Sequence, residues 1–384
     1  MRPLHIALIL SLGAFAGCSQ QTVSSLASNG QLAMPQGRAA SSFKTIYSFK
    51  NSPDGAEPES SLLFSRGKFY GTTRRGGSGF GTVFEVGADG AERVLHKFTN
   101  TPDGAVPTAG LTLVDGLYYG TTVFGGKDIG TVYEMDADGK ERVRHDFDAL
   151  STGAHPDTDL LLVSNTLYGA AGGGSHADGI VYGLRPPGAE KLLYAFDGTP
   201  DGHRPVGALV LLDGVMFGAT RTGGAHNFGC IYEVHRDGAE HVAYSFKGRG
   251  DGRYPEAGLT VLHDALYGTT NRGGTDDDGT VFELSKDGTE RLIHSFSGSD
   301  GRQPRASLTV MNDKLYGTTE LGGSASAGTV FEVQADGTMR VLHEFEGTDG
   351  KFPKAGLTES EGVLYGTTSR GGTEGLGTVF TITP

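Results

Sequence analysis

Four histidines fall in adjacent stretches of the chain, His155, His176, His203 and His226, with Arg221 between the last two. A neutral imidazole binds a divalent metal or takes up a proton near neutral pH. A convergent set of four would therefore suit metal binding, or proton abstraction from a uronate. No His-Glu-x-x-His or Cys-x-x-Cys spacing accompanies them, and such spacing is what marks a preorganised metal site in a sequence. The five residues are thus taken as a candidate ligand-binding set, the alternative being solvated loop side chains. No metal ligand and no catalytic residue is assigned, and no cofactor is expected beyond a divalent ion that these imidazoles would allow. Two other groupings carry chemistry. Glu85, Glu134, Glu233, Glu283 and Glu332 recur with His96, His145, His294 and His343, which is the makeup of an acid/base pair or of a structural charge pair. Asp276, Asp277 and Asp278 offer oxygen ligands of the kind Ca²⁺ takes, or simply form a solvated acidic loop. There is no Gly-x-Ser-x-Gly nucleophile motif.

The elements that position these residues repeat. Tyr70-Gly71, Tyr119-Gly120, Tyr168-Gly169, Phe217-Gly218, Tyr267-Gly268, Tyr316-Gly317 and Tyr365-Gly366 are spaced 49, 49, 49, 50, 49 and 49 residues apart. Within one unit, residues 110–114, 117–122, 130–135 and 141–147 read as four β-strands. Asp115-Gly116 and Asp138-Gly139 supply hairpin turns, since a two-residue turn needs positive φ at both positions. Nothing has helical spacing. Four antiparallel strands in about 50 residues make one propeller blade. An orphan fourth strand, residues 43–49, precedes the first unit, and the last unit stops after its third strand, residues 377–382. The predicted fold is therefore all-β, a seven-bladed β-propeller with four antiparallel strands per blade, closed by the N-terminal strand. Closure removes an edge that would invite aggregation.

A Tyr-bearing second strand followed by a doubled Gly resembles the kelch motif, with Phe98, Phe147, Phe196, Phe246, Phe296 and Phe345 where kelch carries Trp. The run Leu-Tyr-Gly-Thr-Thr…Gly-Gly…Gly-Thr-Val-Phe-Glu from Leu266 to Glu283 is more similar to the bacterial GloVer-type tandem repeat. The resemblance covers residues 43–382 and implies an exported propeller. It carries no activity over.

Residues that recur in every unit are expected to build blades, and departures from the repeat to carry specificity. The links between strands four and one and between strands two and three must open on one face, the default binding face. Units three and four depart there. Thr-Thr becomes Ala170-Ala171, the strand-three Glu becomes Gly183, and the turn becomes Pro186-Pro187-Gly188, replacements small enough to open a pocket.

Residues 1–17 read as an export signal, with an apolar run too short to span a bilayer. Ala16-Gly17-Cys18 resembles a lipobox, so Cys18 is the expected lipidation site. Residues 18–42, rich in Ser, Gln, Ala and Gly, read as a flexible tether, and residues 43–384 as the propeller. With Cys18 lipidated, Cys230 has no disulfide partner. The net charge of −13 argues against nucleic acid as a partner. The composite expectation is a monomeric lipoprotein anchored in the outer membrane, or a periplasmic or extracellular protein, that binds a protein or glycan and meets the membrane only through its lipid. The competing expectation is a lyase or hydrolase acting on a polysaccharide or lactone through the histidines of blades three and four.

Overall fold

The computed structural model describes residues 41–384 except Asn51, Leu150, Pro187 and Ala189. The signal, Cys18 and nearly all of the tether lie outside the described residues, as does the middle of the Pro186-Pro187-Gly188 turn. The described residues form strands, turns and loops, gathered into seven sheets. In the second blade the strands are Thr112–Val114, Leu117–Thr122, Thr131–Met135 and Glu141–Asp146, each antiparallel to the one before it.

Each first-to-second strand turn is a two-residue hairpin with both residues at positive φ, from Arg66-Gly67 to Glu361-Gly362. This is the turn whose twist matches that of the flanking strands. The third-to-fourth turn differs from the sequence expectation. It spans five residues, closed for example by Asp136 N–H donating to Lys140 O at 3.2 Å, and of Asp138-Gly139 only Gly139 has positive φ. A bulge in the fourth strand then shifts the register, so Glu85 stands opposite Arg93 and His96 opposite Val83.

The blades pack through aromatic rings. Phe98 of the first blade meets Tyr133 of the second edge-on, with ring centroids 5.1 Å apart, and an equivalent pair forms at all seven junctions. Such edge-to-face contacts add to the area that the rings bury. The glycine of each aromatic-Gly pair makes room for them: a Cβ on Gly120 would lie 2.5 Å from the Tyr133 hydroxyl oxygen. Thr hydroxyls stitch the innermost strands, as where Thr309 donates to Leu357 O at 2.6 Å.

The ring closes as the repeat count requires. Ser42–Ser48 runs antiparallel to Thr378–Thr383 as the outer strand of the last blade. Phe49 meets Phe84 of the first blade at 5.1 Å, and Thr358 of the last blade donates to Leu62 O of the first at 2.5 Å.

Candidate functional site

Where strand four of one blade runs toward strand one of the next, the chain passes a proline: Pro58, Pro107, Pro156, Pro205, Pro255, Pro304 and Pro353. The residue before each proline has φ between 53° and 58° although none is glycine. A left-handed L-residue costs about 1–2 kcal/mol. Here the conformation lets its N–H donate to a carbonyl of the preceding blade at 2.7–2.9 Å, as Val106 does to Phe80 and Arg204 to Asp178. The residue after each proline turns toward the axis. These seven residues, Glu59, Thr108, Asp157, Val206, Glu256, Arg305 and Lys354, all line one cavity of about 460 Å³ at the centre of the ring.

Neighbouring positions complete the wall. Arg221 lines it from the second strand of blade four, and Phe124 from the second-to-third strand loop of blade two. On one side an ion-paired arc crosses five blades. Arg221 approaches Glu256 at 2.8 Å, and Arg305 bridges Glu256 at 3.0 Å and Glu320 at 2.7 Å. Lys354 reaches Glu59 at 2.8 Å. On the other side lie Val106, Val123 and Phe124, the last 44% exposed. Between them stand Asp157 and Arg204. Asp157 is exposed to the lumen. Confinement pushes its carboxyl above the ordinary range, and Arg204 partly offsets this. Asp159 is pushed up likewise by burial, against the opposing pull of Gly110 N–H, which donates to it at 2.6 Å. The cavity thus offers paired donors and acceptors on one side and an exposed aromatic face on the other.

The structure distributes the histidines singled out from the sequence. His155 is at the rim, where its Nδ1–H donates to Val123 O at 2.9 Å and its ring meets Phe124 edge-on at 4.9 Å. His203 is hydrogen-bonded to Asp178. His176 faces Asp197 at 3.5 Å, and His226 is exposed on the doubled-Gly loop of blade four. Among the described residues, no three of these imidazoles come within metal-ligating reach of one another. Of the five residues, Arg221 lines the cavity. The Glu–His pairing expected within a blade does not form. Glu85 instead binds Lys68 at 2.5 Å and Arg93 at 2.9 Å, and His96 binds Asp103 at 3.0 Å. Asp277 gives both oxygens to Arg253, at 3.1 and 2.6 Å, and is held below the usual carboxylate range by that guanidinium despite partial burial. Nor does Gly183 open a pocket, because Tyr168 and Leu193 fill the space to within 3.1 and 3.2 Å of where its Cβ would be.

The sequence did carry a signal for the cavity that a search for reactive side chains passes over. With the seven units aligned on aromatic-Gly, the position 11 residues before the aromatic reads Glu, Thr, Asp, Val, Glu, Arg, Lys, directly after an unchanging proline.

The fold and site together define a closed seven-bladed propeller whose non-repeating residues meet at its axis. The chain belongs to the Gloeobacter/Verrucomicrobia repeat family, whose model matches residues 11–175 and 170–380. No curated protein matches it in sequence. Among solved structures it is similar to a putative 6-phosphogluconolactonase of Bacteroides uniformis, with 13% identity, a TM-score of 0.50, and coverage of 74% of this chain and 84% of that one. A gluconolactonase of Xanthomonas campestris gives 15% identity and a TM-score of 0.46 over 73% of this chain and 86% of that one. A protein of unknown function from Bacteroides thetaiotaomicron gives 12% and 0.47 over 89% and 96%. At these identities the likeness is one of fold.

Proposed function

We propose that this protein is an exported, lipid-anchored propeller that binds a glycan in its central cavity and acts as a recognition module of the cell envelope. The observation that carries the reading is the convergence of the seven variable post-proline residues on one cavity in an otherwise strictly repeated chain. Sugars present hydroxyl groups at their edges and C–H groups on their faces. Glu256, Arg305 and Asp157 match the first and Phe124 the second, the usual division of labour in a small-molecule site. Screening the purified protein on a glycan array, followed by titration calorimetry of the best binder, tests this. Arg305→Met and Phe124→Ala should each weaken binding about tenfold or more, since a hydrogen bond to a charged group contributes about 1.5–3 kcal/mol and 1.4 kcal/mol is a factor of ten. Absence of any bound glycan, or variants that bind like the parent, would overturn the reading.

Asp157 favours a second reading, a hydrolase acting on a polysaccharide or lactone. A carboxyl pushed above its ordinary range in a cleft beside an Arg is placed to serve as a general acid. Turnover of a bound sugar that Asp157→Asn removes, with affinity retained, would establish it.

Anchoring rests on Cys18 alone. Cys18→Ser should move the protein from the membrane to the soluble fraction on cell fractionation. An unchanged membrane fraction would count against the anchor.

A further inference from the structure

Each of the seven blade junctions brings together the same three positions: the fifth residue of one blade's outer strand, the Asp of the following loop, and the first residue of the next blade's outer strand. In the closing strand Ser42–Ser48 the two outer-strand positions are its sixth and second residues, Tyr47 and Phe43. Three junctions hold Tyr, Asp and Glu. There the phenol donates to the Asp, as Tyr47 does to Asp54 at 2.7 Å, with Glu92 Oε2 a longer second acceptor at 3.2 Å. Two junctions keep His and Asp but have an apolar third residue, Met339 or Phe43, and the imidazole donates to Asp300 at 2.8 Å or Asp349 at 2.7 Å. In one, Thr152 stands where the Asp would be, beside His145 and Glu190. Only the junction between blades one and two combines an imidazole with both carboxylates: His96, Asp103 and Glu141.

We propose that His96, Asp103 and Glu141 bind a divalent transition ion of the Zn²⁺ type, clamping blade one to blade two. Their ligand atoms all lie within 4.8 Å of one another, the only such trio of His, Cys, Asp or Glu among the described residues. His96 Nε2 and Asp103 Oδ2 are 3.0 Å apart. Two ligands at about 2.0–2.1 Å in a tetrahedron stand roughly 3.3 Å apart, so a small adjustment seats the ion. Asp103 is already oriented, because Thr99 N–H and Oγ1 donate to its other oxygen at 3.0 and 2.7 Å, so Oδ2 has only His96 as its partner and faces the position of the ion. Glu141 has no counterpart of the phenol that reaches Oε2 of Glu92 and of Glu290. Glu141 Oε1 is buried with no hydrogen-bond partner, as is Oε1 of Glu92, Glu190, Glu240 and Glu290 at other junctions, but only here do an imidazole and a second carboxylate stand beside it. A buried oxygen without a partner is costly, and a cation removes that cost. The His96 and Asp103 side chains are 18% and 12% exposed, which leaves a path for the ion and a fourth position for water. The trio lies apart from the residues that line the central cavity, so the proposal does not depend on the glycan reading.

The test is titration of the EDTA-treated, dialysed protein with Zn²⁺ by calorimetry, together with thermal melting. One equivalent should bind per chain and raise the melting temperature. His96→Tyr installs the residue native to three other junctions, so it should fold and melt like the metal-free parent yet lose the binding. Glu141→Gln should weaken it at least tenfold, and His294→Tyr should leave it unchanged. Should His96→Tyr fail to fold, Glu141→Met, which copies the Met339 junction, takes its place. No stoichiometric binding to the parent, or equal binding by His96→Tyr and Glu141→Gln, overturns the proposal.

Discussion

Glu92, Glu141, Glu190, Glu240 and Glu290 each begin an outer strand, and each carboxyl is pushed up to about 7. Burial is the first cause in all five. At four of them a neighbouring loop carboxylate (Asp54, Asp103, Asp201 or Asp251) pushes further, and at Glu190, where Thr152 replaces that Asp, burial acts alone. A carboxyl raised from 4.5 to about 7 on folding keeps its proton in the ring when the unfolded chain has lost it. Stability therefore falls as pH rises from about 4.5 to about 7, and levels off above. Asp157 and Asp159 act in the same sense, while His145, lowered by burial, opposes it. Melting in EDTA should thus give a lower midpoint at pH 8 than at pH 5. Glu290→Gln should gain on the parent as pH rises; parallel curves would mean that this carboxyl is ionised in the ring. At the same scale Cys230 turns out to be scaffold. It stands where five other blades have a Thr and blade three has Ile180, 3.1 Å from Thr220 Oγ1, and burial pushes its thiol up to about 12.

The Asp-Gly dipeptide shows how far an element can be read locally. It forms a two-residue turn at Asp115-Gly116 and part of a five-residue turn at Asp138-Gly139. The dipeptide is the same and the outcome differs, because the outer strand bulges to bring Phe147 against Tyr182 of the next blade. The bulge also separates Glu134 from His145. The closing strand was legible from its isolation ahead of the first unit. Phe43 packs on His343, Phe345 and Phe380, with centroids 3.6, 5.6 and 5.4 Å away. Deleting residues 42–48 exposes the edge of Thr378–Thr383 and gives up the burial of Phe43, Ile46 and Tyr47, on the order of 5 kcal/mol at about 1.5–3 kcal/mol per large apolar side chain. The melting temperature should drop by about 10 °C or more. A variant that melts like the parent would mean that the ring closes without this strand.

Across the whole molecule, the period of 49 residues determined the blade count, the four strands per blade and the closure, because each is a matter of local hydrogen bonding and of pairing along one repeat. What only the tertiary structure decided is which side chains meet. Glu256 and Glu320 are 64 residues apart, and Arg305 joins them, because curvature around seven blades carries the post-proline residues to one axis. His155, His176, His203 and His226 follow one another at intervals of 21, 27 and 23 residues, yet each takes a nearby partner or solvent. Periodicity specifies the neighbours along and across a strand. Convergence depends on the tilt of whole blades and on seven left-handed residues before proline, and neither is written in the spacing of the residues that converge.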